Sequence, residues 1–251
     1  MHNNGFHGIA AKNAAPREAE RYGQCRSLRI VMETYDKIRE LISSETIEDN
    51  IDVRTSFLNL YRTETDEFIC NMSKSFIAWR SLDSRTKNDE QKEHLSALVF
   101  SSINLHIVSM KLFLSGYIVP AGKIERQAIE TIALAILLSN KGIDIFDIYI
   151  KNQYSTNKAV RDLKRHSKKM SLSEEGINKL EKAHKHFHDY SHPSYITIGS
   201  NFNFQGKGRY LGASFDEGKI DFYNKDISGR VNLSAVFPNY IKAVESAIIN
   251  W

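Results

Sequence analysis

Four of the nine histidines in this 251-residue chain crowd into nine positions: His184, His186, His188 and His192. Imidazole titrates near neutral pH and binds metals, so this segment could carry acid–base catalysis or metal binding. On a helix, His184, His188 and His192 stack one turn apart along one face, and His186 points away. Two histidines at i and i+4 can share a metal ion, but a closed zinc site needs further ligands. No cysteine pair or His-x-x-Glu-His pattern supplies them, and only Glu181 and Asp189 lie nearby. No metal and no cofactor are expected. Pro193 disfavours helical geometry at His192, so the helix should stop there, where its carbonyl end favours an imidazolium. His192 is therefore the candidate general acid or base, with His188 in support. The plainer reading is a solvated histidine-rich face.

A second pair, Arg126 and Glu130, stands one turn apart on the segment expected to be the most buried helix. Buried charges need a partner or a purpose. The pair is either structural or the base of a polar cleft facing the His192 turn. The third cluster is basic: Arg161, Lys164, Arg165, His166, Lys168 and Lys169 within nine residues, with Lys185 further along. Such a run can contact the phosphates of RNA, but it holds no aromatic ring for base stacking. It could equally be a solvated helix end. Gly-rich phosphate loops, Gly-x-Ser-x-Gly elbows and dinucleotide fingerprints are all missing from the sequence.

The whole chain bounds these readings. Apolar residues make up 41% and charged residues 25%, as in an ordinary globular protein. The net charge of +4 permits a nucleic-acid partner without demanding one. Cys25 and Cys70 fit no metal spacing or disulfide framework, so free thiols in a reducing cytoplasm are expected. The first residues lack the apolar core of a secretory signal, and the longest strongly apolar run, residues 132–138, is too short to cross a bilayer. No membrane association is expected.

The elements that must position the clusters follow from apolar spacing. Residues 1–15 read as a disordered arm and residues 16–251 as one helical domain, with its core over 88–195. Pro16 opens a first helix carrying Leu28, Val31, Tyr35, Ile38 and Ile42, with a polar break from Ser43. A second helix covers 52–82. Asn88 with Gln91 caps a third that ends near Gly116, and Pro120 helps start a fourth over 121–139. That fourth helix is apolar on every side after Thr131, which makes it the central one. A fifth helix spans 144–169. Ser171 with Glu174 caps the histidine helix. Residues 196–224 should hold a small β-hairpin, pairing 210–215 with 219–223, before a last helix over 228–250 that Pro238 kinks or delays. The expected fold is an all-α bundle with a β-hairpin insertion.

Two motifs together suggest a family. Gly116 or Gly122 precedes Arg126-x-x-x-Glu130, and Tyr190-Ser-His192-Pro-Ser194 follows, with residues 211–216 and Tyr223 downstream. Over roughly residues 90–225 this resembles a family of uncharacterised bacterial helical proteins, and it is similar to the HEPN superfamily. That resemblance implies a helical bundle in a bacterial defence or toxin-like system, often dimeric, often a metal-independent ribonuclease. The superfamily motif is an Arg, four to six residues, then a His; the Arg stabilises phosphate and the His moves the proton of the attacking 2′-hydroxyl. Arg161 and His166 match it literally; before His192 the spacing falls on Lys185, which can hold phosphate only as a point charge. Two other readings stay open. One is a non-catalytic module that binds a partner protein or a nucleotide. The other is a metal-dependent hydrolase using His184, His188 and His192.

Overall fold

The protein is described here by a computed structural model covering residues 35–206, 208–249 and 251. The expected arm, the helix start at Pro16 and Cys25 lie outside the described residues. The described residues fall into two units, divided between Glu48 and Asp49. In the first, α1 (Tyr35–Ile47) runs through the break expected at Ser43. Its late polar residues bond locally instead of ending the helix: Thr46 donates to the Ile42 carbonyl and Ser44 to Glu48.

The second unit is a bundle of α-helices: α2 (Ile51–Leu60), α3 (Arg62–Ser84), α4 (Glu90–Leu114), α5 (Ile118–Leu138), α6 (Ile145–Ile150), α7 (Ala159–His166), α8 (Glu174–His188), α9 (Tyr195–Gly199) and α10 (Ile220–Ile249). α5 is central, as its composition requires. Every residue from Ile132 to Ser139 is buried, and α5 packs along α4 and against α7, α8 and α10. Each buried Ile or Leu there contributes roughly 1.5–3 kcal/mol. Among the described residues, α4 alone is long and apolar enough to cross a membrane by length and composition; Leu95, Val99, Ile103, Met110 and Phe113 on it are buried in the bundle core.

Several boundaries differ from the sequence reading, each for a local reason. The helix expected over 52–82 breaks at Tyr61, whose backbone leaves helical geometry (φ −122°, ψ 32°). Its ring is buried beside Phe57 and Phe113, and its hydroxyl donates to Asn224 at 2.9 Å. Asn88 turns left-handed (φ 69°), so Asp89, not Asn88, caps α4 through the Lys92 amide. The single helix expected over 144–169 becomes α6 and α7, because Asn152 adopts a left-handed conformation (φ 56°) that Asn tolerates well. Ser173, not Ser171, caps α8.

The β-hairpin is absent: no strand exists among the described residues, and a single antiparallel bridge joins Phe202 to Arg209. Of residues 219–223, expected as its second strand, Lys219 ends a 3-10 turn and 220–223 form the first turn of α10. Asp216 organises the segment, accepting from the Gly218 and Phe204 amides, while the buried Lys219 donates to the Ser200 carbonyl. α10 therefore starts well before residue 228 and continues through Pro238.

Candidate functional site

The charged groups near the end of α8 form two layers, one inside the bundle and one at its surface. The inner layer was not evident from the sequence. On α4 and α5, His106 Nδ1 lies 2.7 Å from Glu125 Oε1, with both side chains fully buried. On α10, Arg230 is buried too; its guanidinium lies 2.7 Å from Asp226 Oδ2 and 4.0 Å from Glu125 Oε2, and its Nε reaches Ser109 Oγ at 3.3 Å. The same cation is sandwiched between the Phe113 and Phe187 rings at 5.0 and 4.8 Å. Asp226 Oδ1 accepts the Tyr190 hydroxyl at 2.9 Å and faces His186 Nε2 at 3.2 Å. Burial and the Asp226 charge push the Tyr190 hydroxyl far above its ordinary pKa, so it stays a donor.

This layer explains parts of the two motifs. A Cβ at Gly122 would lie 2.3 Å from ring atoms of Tyr190, so the glycine makes room for the tyrosine that precedes the His192 turn. Gly116 needs its left-handed backbone (φ +81°) and lies under Ser214, whose amide donates to the Gly116 carbonyl. Residues of the motifs that are far apart in sequence thus meet in pairs, Gly122 with Tyr190 and Gly116 with Ser214. His186 does point away from the other histidines, but it points into the protein, toward Asp226.

The outer layer contains the residues that the sequence singled out. Arg126 Nε donates to Glu130 Oε1 at 2.8 Å, and His184 Nε2 lies 3.0 Å from the same oxygen. All three side chains are about 15% exposed. Burial pushes the Glu130 carboxyl up, but the His184 hydrogen bond and Arg126 outweigh it and hold its pKa below the ordinary value. From His184 the row continues outward: His188 lies 6.5 Å away between ring centroids, and His192 a further 4.7 Å beyond His188. His188 has its pKa lowered, first by desolvation, then by Arg126, His192 and His184, against a smaller opposite pull from Asp189. It is therefore mainly a neutral base at pH 7.

His192 is exposed and extended (φ −124°, ψ 159°), the geometry that the following proline favours. The α-helix itself ends at His188, and a 3-10 turn of Asp189–Ser191 intervenes, so the α-helix C-terminus belongs to His188 rather than His192. The turn is fixed by Ser194, which caps α9 and donates to the Asp189 carbonyl. No hydrogen bond or ion pair joins His192 to Arg126 or Glu130 among the described residues; His184 and His188 bridge the interval.

The basic run is largely engaged with carboxylates of the same protein. Lys164 and Lys185 both reach Glu181, at 2.6 and 3.3 Å. Arg161 and Arg165 flank Asp162 at 3.4 and 3.9 Å. Lys169 donates to the Gly142 carbonyl, Lys168 is exposed, and His166 is half-buried. Among the described residues, no group of three or more His, Cys, Asp or Glu side chains is placed to hold one metal ion. Cys70 is an exposed free thiol.

His106, Glu125, Asp226 and Arg230 did carry a signal in the sequence: each falls on the apolar stripe of its helix, where a charge demands a partner. No protein-family model, curated protein or solved structure matches this chain.

Proposed function

We propose that Arg126, His184, His188 and His192 form a phosphodiester site, and that the protein is a HEPN-like ribonuclease, independent of metal, from a bacterial defence or toxin-like system. The observation that carries this reading is the row of histidines, His184, His188 and His192, that leads outward from the Arg126–Glu130 pair. In such a site, neutral His188 takes the proton of a ribose 2′-hydroxyl, and the 2′-oxygen attacks phosphorus. The bond from phosphorus to the 5′-oxygen breaks, and His192 returns a proton to that leaving oxygen. Arg126 balances charge on the phosphoryl oxygens, and Glu130 orients Arg126 and His184. The products are a 2′,3′-cyclic phosphate and a free 5′-hydroxyl.

The test is cleavage of mixed RNA in the presence of a chelator by wild type, His188→Ala, His192→Ala, Arg126→Ala and Arg161→Ala. The reading expects loss of about 100-fold or more for either histidine, with Arg161→Ala active. Equal cleavage by all variants refutes it.

A second reading, a non-catalytic module for a partner protein or nucleotide, is favoured by the internal pairing of Lys164, Lys185, Arg161 and Arg165, which leaves less free charge for a long polyanion. Absence of any cleavage supports it.

A further inference from the structure

His186 also lines a cleft between α8 and α10, with a volume of about 680 Å³, within the range of small-ligand sites. From α8, Lys179, Lys182 and His186 line it at helical spacing. From α10, Lys225 adds a further ammonium, and Asn224, Ser228 and Asn232 line the cleft one turn apart, with the Asn224 carbonyl oxygen held by the Tyr61 hydroxyl. Ala183, Gly229 and the buried Leu233 provide apolar surface, and no carboxylate lines the cleft. The Lys179 ammonium pairs with the exposed Glu175 carboxylate at 2.8 Å.

With Lys179 paired to Glu175, Lys182 and Lys225 are the cations that focus a positive potential in this concavity, which no carboxylate lines. Amide and hydroxyl groups at turn spacing add directed bonds, and the apolar surface suits an organic body. We propose that this cleft binds a small phosphate-bearing polyanion, with Lys182 and Lys225 as its cationic contacts and Leu233 and Gly229 beneath its apolar part. The site is separate from the Arg126–His188 row, because His186 and His184 leave opposite sides of α8 toward Asp226 and Glu130. A ligand there would touch His186 and so reach Asp226 and Arg230.

The test is calorimetric titration of the full chain with inorganic tripolyphosphate at moderate salt. Wild type should bind one equivalent. Lys182→Ala and Lys225→Ala should each weaken binding about tenfold, the effect of one charge-assisted hydrogen bond. Ser228→Trp, which fills the mouth at an exposed position, should abolish it. Lys168→Ala, with the same charge loss outside the cleft, should bind like wild type. No binding by wild type, or equal weakening by Lys168→Ala and Lys182→Ala, overturns the proposal. Failure of RNA cleavage does not bear on it.

Discussion

Replacing Arg230 by methionine should destabilise the protein more than almost any other single change. The guanidinium is fully buried and faces two carboxylates that are also fully buried, Asp226 at 2.7 Å and Glu125 at 4.0 Å. Methionine matches much of the arginine volume and keeps contact with the Phe113 and Phe187 rings, so the main loss is charge. Removing one partner of a buried ion pair costs about 3–5 kcal/mol, because the remaining charge is uncompensated. For a body of this size that lowers the melting temperature by roughly 6–20 °C. Urea unfolding at pH 7, followed by circular dichroism, measures it. The decisive comparison is the triple variant Glu125→Gln, Asp226→Asn, Arg230→Met, which removes the charges together while keeping their shapes. It should recover at least about 2 kcal/mol relative to Arg230→Met alone. If the triple variant is no more stable than the single one, uncompensated charge is not the cause. If Arg230→Met unfolds within about 1 kcal/mol of wild type, the network itself contributes little and the reasoning fails.

Two further outcomes follow from the same geometry. Arg126→Ala removes a cation that lowers the His188 pKa, so that pKa should rise; in a histidine proton titration by NMR the His188 midpoint moves to higher pH, and the acid side of any activity profile moves with it. An unmoved or lowered midpoint refutes the assigned influence. Gly122→Ala places a methyl group inside the space of the Tyr190 ring and should cost about 1–3 kcal/mol by overpacking; an unchanged urea midpoint would show that Tyr190 can move aside freely.

The helical class, the central position of α5 and the separation of His186 from the stacked His184 and His188 were legible, because each depends on spacing of 3.6 residues per turn; that His186 points inward was not. The pairing of Arg126 with Glu130 was legible for the same reason. Boundaries were not. Tyr61 breaks a long apolar pattern because its ring and hydroxyl are held by Phe57, Phe113 and Asn224. Residues 220–223 look like half of a hairpin, yet they start α10 after Asp216 has turned the chain. Alternation over four or five residues fits a strand and a helix turn almost equally well, and packing decides between them.

For the site, the sequence by itself determined which side chains could do chemistry and which of them share a helix face. It could not bring together groups from different helices. That His184 of α8 meets Glu130 of α5, that Tyr190 lies on Gly122, and that Arg230 joins Asp226 and Glu125 in the core were decided only by the tertiary structure. The reason is physical: helical periodicity is a property of one segment, whereas a buried charge is satisfied by whichever helix packs against it.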